Sequence, residues 1–221
     1  MMAAAEVGLE EISNQTHQPS GMLRVTVPAV LTQSKLIDRM AGFADEFPNV
    51  QLSLDFSDLR RELIGDGFDI AIRMGWLKDS SLKTRKLFEV QRRLVAAPRY
   101  LKSRPEPASP QDLDDWDWLE LAPVRHKKPE FRNGAKCVVI SRRESRISAN
   151  NAQALHRLTR LGAGLAILPD FLSEADLANR ELSVVLPNWS VEPVGVYAVW
   201  PSNAPKDGLV KRFIEFLVTE S

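Results

Sequence analysis

The residues best suited to nucleophilic or metal chemistry are few and scattered. His17, His126 and His156 are the only histidines and Cys137 the only cysteine, and covalent catalysis needs such a group held beside a partner base. No G-x-S-x-G elbow, HExxH pair, CxxC pair or Walker loop occurs. Cys137 lies in the apolar run CVVI, where a free cysteine reads as a small buried hydrophobe. GAGLAI at 162–167 holds two glycines of a dinucleotide fingerprint, but Ile167 replaces the third, and the run follows a helix and opens a strand, the reverse of the required order. Gly162 or Gly164 reads instead as a helix C-terminal cap. The basic run RHKK at 125–128 and the cluster Arg142, Arg143 and Arg146 carry charge suited to phosphates, but Asp112, Asp114, Asp115 and Asp117 share their part of the chain, so these read as solvated surface. WDW at 116–118 reads as a small apolar cluster under a loop. These patterns predict no metal site, no cofactor and no enzyme.

The elements around these residues alternate. Residues 1–13 favour helix and 13–21 break it. A strand over 22–27 is stopped by Pro28, and Leu36, Met40, Phe43 and Phe47 line one face of a helix ended by Pro48 and Asn49. Val50, Leu52, Leu54 and Phe56 alternate with polar residues as a half-buried strand, a short helix carries Leu59 and Leu63, and Phe68 to Met74 is a third strand. That order predicts a parallel sheet covered by helices. A strand at 93–97 and the stiff stretch PEPASP at 105–110 lead into a second lobe. There, strands are expected at 137–140, 146–149, 165–169, 182–186 and 194–200, and a helix at 152–161. The last helix places Leu209, Phe213 and Phe216 on one face, to dock on the first lobe. Two lobes crossed twice by the chain form a hinged cleft.

Composition excludes other classes. With 44% hydrophobic residues and 29 basic against 29 acidic groups, the chain is not intrinsically disordered. It also lacks the cationic excess that grips nucleic acid. One cysteine precludes an internal disulfide or a cysteine-based zinc site. No basic, apolar leader opens the sequence and no run approaches a membrane span, so a cytoplasmic setting is expected.

The stretches GMLRVTVP at 21–28, EFPNVQLSLDFSD at 46–58 and GDGFDIAIRMGWLKDSSL at 65–82 resemble the effector-binding domain of LysR-type transcriptional regulators. RRLVAAPRYL at 92–101, SANNAQAL at 148–155, LGAGLAILPDFL at 161–172 and VYAVWPS at 196–202 continue the resemblance in the expected order. It implies an α/β fold of two Rossmann-like lobes with a double crossover hinge, of the periplasmic-binding-protein type II kind. Residues 1–20 would be the remnant of a linker helix, 21–97 with 196–221 the first lobe, and 98–195 the second. It further implies a small-molecule effector between the lobes and a homodimer or homotetramer, the outer face of the 34–47 helix packing on the second lobe of another copy. DNA would be bound only through an N-terminal winged helix-turn-helix not present in this chain. A transporter's solute-binding protein would share the fold and is the alternative.

Ligands of open α/β sheets sit beyond the carboxyl ends of strands. The first candidate contacts are therefore Pro28, Ala29, Val30, Leu31, Thr32 and Gln33. Family members often carry Ser and Gly where this chain has Val30 and Thr32, and a lip of Val30, Leu31 and Trp76 favours an apolar or aromatic ligand body. Thr32 and Ser34 serve either as ligand contacts or as helix caps. Ser57 is expected to meet ligand while Asp58 caps the next helix. Arg73 meets either an anionic group or a neighbouring carboxylate, and Met74, Gly75 and Trp76 continue into the loop. Asn150 and Asn151 either cap the helix beginning near Ala152 or reach the ligand. Ala97, Pro98 and Gly195 are the expected hinge positions.

Overall fold

The apolar run after Gly21 forms β1 (Gly21–Val27). Pro28, having no amide proton, ends it, and a 3-10 turn over Ala29–Gln33 leads into α1 (Leu36–Glu46). Leu36, Met40 and Phe43, at helical spacing, are the buried residues of α1. β2 (Val50–Phe56) and β3 (Ile70–Met74) flank β1, and both run parallel to it. β4 (Leu82–Val90), whose Lys83 to Lys86 are all exposed, was not expected from the sequence. The structure is a computed structural model that describes residues 19–58, 62–63, 65–75, 82–122, 128–141, 144–205 and 208–218. The expected helix at 1–13, Leu59 of the short helix, Trp76, residues 125–127 of the basic run, Arg142 and Arg143 lie outside those residues.

Past Gln91 the elements shorten. β5 (Arg92–Ala96), α2 (Pro98–Leu101), β6 (Leu119–Leu121), β7 (Glu130–Asn133), β8 (Lys136–Val139) and β9 (Ile147–Ala149) come first. α3 (Ala152–Arg160), β10 (Ala166–Pro169), α4 (Asp170–Ala178), β11 (Ser183–Val184) and β12 (Ser190–Val191) follow. β5 is the centre of a three-stranded sheet with β10 and β11, β7 pairs with β8 and β12, and β6 lies parallel to β9. Gly162, at φ +70°, ends α3 in a Schellman arrangement: its amide bonds Thr159 O at 2.8 Å and that of Ala163 bonds Leu158 O at 3.1 Å.

β13 (Val194–Pro201) returns to the first sheet, giving the order β2-β1-β3-β13-β4. It runs antiparallel to both β3 and β4, so the expected parallel sheet holds for β2, β1 and β3 and is corrected to a mixed sheet beyond them. The reason is topological: β13 arrives from the second lobe, without a crossover helix to reverse its direction. α5 (Leu209–Val218) covers this sheet as expected. Phe213 meets Phe43 edge-on at 4.9 Å, and the Arg39 guanidinium donates to Leu217 O at 2.7 Å.

One apolar cluster runs through both lobes, joining Leu23, Val25 and Phe43 to Val95, Leu155 and Leu168. A second, within the smaller lobe, gathers Trp116, Trp118, Phe131 and Leu165. WDW is thus the buried cluster its composition suggests, with Trp118 1% exposed. Cys137 is exposed, which corrects the buried reading. It lies on β8, an edge strand with one partner, so the apolar run CVVI is not sandwiched between two layers. No helix among the described residues is long and apolar enough to cross a membrane.

Candidate ligand-binding cleft

The turn after β1 presents its backbone and its polar side chains, but not its apolar ones. Leu31 is fully buried and Val30 is 7% exposed, both within the main apolar cluster. This corrects the expected apolar lip, because the 3-10 turn directs these two side chains into the core beneath α1. Pro28 immediately precedes the turn. Thr32 and Gln33 are exposed. Thr32 Oγ1 donates to Ala29 O at 2.7 Å, and Ser34 Oγ donates to Leu31 O at 2.7 Å, so both hydroxyls tie down the turn.

At the end of β2 the Ser57 amide donates to Val27 O at 2.9 Å. Asp58 does not stay with its own lobe. One carboxylate oxygen accepts the Ala29 amide at 3.0 Å and the other accepts Asn151 Nδ2 at 2.7 Å, 93 residues away on the opposite lobe. Arg73 and Met74 close β3 half-buried, Arg73 opposite Tyr197. Gly75 takes φ +90°, and its amide donates to Gly195 O at 2.9 Å. Trp76 lies outside the described residues.

On the second lobe the expected cap falls to one of the two asparagines. Asn151 caps α3, its Oδ1 accepting the Ala154 amide at 2.8 Å, while Asn150 is exposed just before it. Gln153, absent from the sequence candidates, donates from Nε2 to Thr32 Oγ1 at 3.2 Å, a second side-chain bond between the lobes. Its signal was its place in the first turn of a helix whose cap faces the cleft. The hinge positions fall differently. Strand pairing moves the first passage between sheets to Gln91, because β5 already belongs to the second lobe. Ala97 and Pro98 open α2 inside that lobe, with Ala97 1% exposed. Gly195 lies at the start of β13, beside the second passage. There a Cβ would stand 2.5 Å from the Tyr197 ring, so close packing explains that glycine.

A cavity of about 160 Å³ lies elsewhere, on the outer edge between β4, β13 and α5, lined by Lys83, Arg85, Trp200, Pro205, Lys211 and Ile214. None of the sequence candidates lines it. Among the described residues no group of three or more His, Cys, Asp and Glu is placed to hold a metal ion. The Cys137 thiol is held above its ordinary value, first by its hydrogen bond with Glu130, the opposite of what makes a thiolate nucleophile. What the described residues of the cleft offer is hydrogen bonding, from the turn after β1 and the start of α3.

The chain matches the LysR substrate binding domain over residues 16–221. It belongs to that family. The LysR domain is similar to the HTH-type transcriptional regulator PtxR of Pseudomonas aeruginosa, 33% identical over 220 residues that make up 98% of this chain and 70% of PtxR. It is also similar to the HTH-type transcriptional activator AaeR of Escherichia coli, 31% identical over 193 residues, 86% of this chain and 62% of AaeR. Among solved structures, the regulatory domain of CrgA from Neisseria meningitidis superposes with a TM-score of 0.73 at 28% identity, covering 90% of this chain and 98% of that one. Full-length AphB of Vibrio cholerae gives 0.75 at 26% identity over 98% of this chain and 75% of that one. The LysR domain thus has the two-lobed, periplasmic-binding-protein type II-like fold of these regulators. The relatives carry the names of transcriptional regulators, which favours neither an enzyme nor a transporter's solute-binding protein.

Proposed function

We propose that this chain is the effector-sensing and oligomerising part of a LysR-type transcriptional regulator and works in the cytoplasm without catalysis. The observation that carries the reading is that side chains of the two lobes bond across the cleft, Asp58 with Asn151 and Thr32 with Gln153. A ligand between them changes lobe arrangement only by binding two arrangements unequally. That change would reach DNA through a winged helix-turn-helix, which the resemblance places before the regulatory lobes. The contacts we assign to ligand are the Ala29 amide, Thr32, Gln33, Ser57, Arg73, Gly75 and Asn150, with the lobes divided as 21–91 plus 194–221 and 92–193.

A thermal-shift screen against aromatic acids, amino acids and sugar acids tests this. A ligand at about 100 times its dissociation constant adds roughly 2.7 kcal/mol, and Gln33→Ala or Asn150→Ala weakens a true cleft ligand. A hit insensitive to both places the site elsewhere. The partner is a second copy, whose second lobe packs on the outer face of α1 and the neighbouring edge strand β2, where Leu54 and Phe56 are 36% and 38% exposed. Sedimentation at micromolar concentration should show a dimer or tetramer that Phe56→Glu dissociates.

A further inference from the structure

Asp58 ties the two lobes together with both of its oxygens. Its carboxylate accepts a backbone amide of its own lobe, Ala29 at 3.0 Å, and a side-chain amide of the other lobe, Asn151 at 2.7 Å. Through Asn151, whose Oδ1 caps Ala154 at 2.8 Å, it is linked to α3. The second side-chain bond between these two cleft walls, Gln153 to Thr32, is neutral and longer, at 3.2 Å. A bond to a charged acceptor is roughly twice as strong as a neutral one, so of the two the Asp58 bond holds the closed arrangement more firmly. The same carboxylate also occupies the Ala29 amide, a donor that an acidic effector entering this cleft would otherwise meet.

We propose that Asp58 is the residue that sets specificity: its carboxylate latches the lobes together, and an effector replaces that carboxylate with an acid group of its own, so that the body of the effector then sets how far the lobes close. The inference rests on the cleft being the effector site. It makes the effector a carboxylate-bearing small molecule. Short acids without further contacts cannot compete with a carboxylate already tethered to the chain, because tethering raises its effective concentration.

The test needs no effector. In Asp58→Ala, small-angle scattering should show an enlarged radius of gyration, and the Ala29 amide should lose hydrogen-exchange protection while Ala154 keeps its own. Asn151→Asp keeps the cap on Ala154 but sets two carboxylates face to face, and it too should open the lobes. The double exchange Asp58→Asn with Asn151→Asp restores every bond. The side-chain amide then at position 58 would accept from Ala29 and donate to the carboxylate at position 151, which would still cap α3. The exchanged pair should therefore be as compact as the parent chain, a coupling that two merely local roles would not produce. Sodium acetate should also close Asp58→Ala saturably, while acetamide and sodium chloride at matched concentration should not. Single variants as compact as the parent, a double exchange no better than the sum of its parts, or acetate no better than acetamide would each overturn the proposal. Any of these leaves the screen for effectors standing, and a silent screen leaves the latch standing.

Discussion

The five-stranded sheet and the second lobe bury apolar surface by different means. In the first, strands of five to nine residues and two helices pack continuously, and Phe43 sits between Phe47, Phe213 and Phe216 at 4.7, 4.9 and 5.5 Å. In the second, several strands have only two to four residues, and single side chains do what sheet length does elsewhere. Trp118, buried, donates from Nε1 to Leu113 O at 2.9 Å, and Arg104 lies 4.5 Å over Tyr100 and 5.3 Å over Trp116 while pairing with Asp117 at 2.5 Å. A lobe built on apolar area loses stability in proportion to volume removed. A lobe built on pinned contacts fails where one contact cannot form.

That contrast can be broken at its strongest point first. Phe43→Ala removes a side chain with no exposure at the junction of α1 and α5, and should cost about 3–5 kcal/mol in urea unfolding. Because its cluster extends into the second lobe, the loss should appear as one cooperative transition. Unfolding of the first sheet alone, with the second lobe intact, would show that the lobes are independent. Next comes Gly164→Ala, which removes nothing: the added Cβ would stand 2.1 Å from Asp117 O, a backbone atom. The neighbouring Leu165 amide bonds that same oxygen at 2.8 Å, so the strand ends must separate. The expected cost is about 1–3 kcal/mol, with hydrogen-exchange protection lost at Leu119 and Leu165 but kept along β1. A uniform loss across both sheets would erase the distinction between them.

The same contrast governs what could be read beforehand. Period-2 alternation placed β2 residue for residue, and the helical spacing of Leu36, Met40 and Phe43 placed α1. β4 escaped notice because four consecutive exposed residues, Lys83 to Lys86, hide the buried Leu87 and Val90 at the sheet edge. α4 escaped because it opens directly after the strand ending at Pro169, with no side-chain cap to announce it. The candidate site divides likewise. The capping role of Asn151 was legible from its place before a helix, but a carboxylate reaching it from position 58 depends on how two lobes close. Val30 and Leu31 were misassigned because a loop sequence does not say which way a 3-10 turn faces.

The smallest effect tests the pinned contacts of the second lobe by pH. Asp112 Oδ2 accepts the Ala108 and Ser109 amides, both at 2.9 Å, in a capping box that starts the turn Pro110–Leu113. The Ser109 amide first, then that of Ala108, holds the Asp112 carboxyl below its ordinary value. The unfolded chain therefore binds this proton at a higher pH than the folded one does. The stabilisation is complete above the ordinary carboxylate range, about pH 4, and is lost as pH falls through the lower folded value. Asp112→Asn should lower the urea midpoint slightly at pH 7, and the gap from the parent chain should narrow steadily below about pH 4. Leu113, whose carbonyl receives Trp118 Nε1, lies one residue on, so the loss should register at Trp118 and not at Phe43. A gap independent of pH would mean that the box works through shape alone and that charge contributes nothing to pinning this lobe.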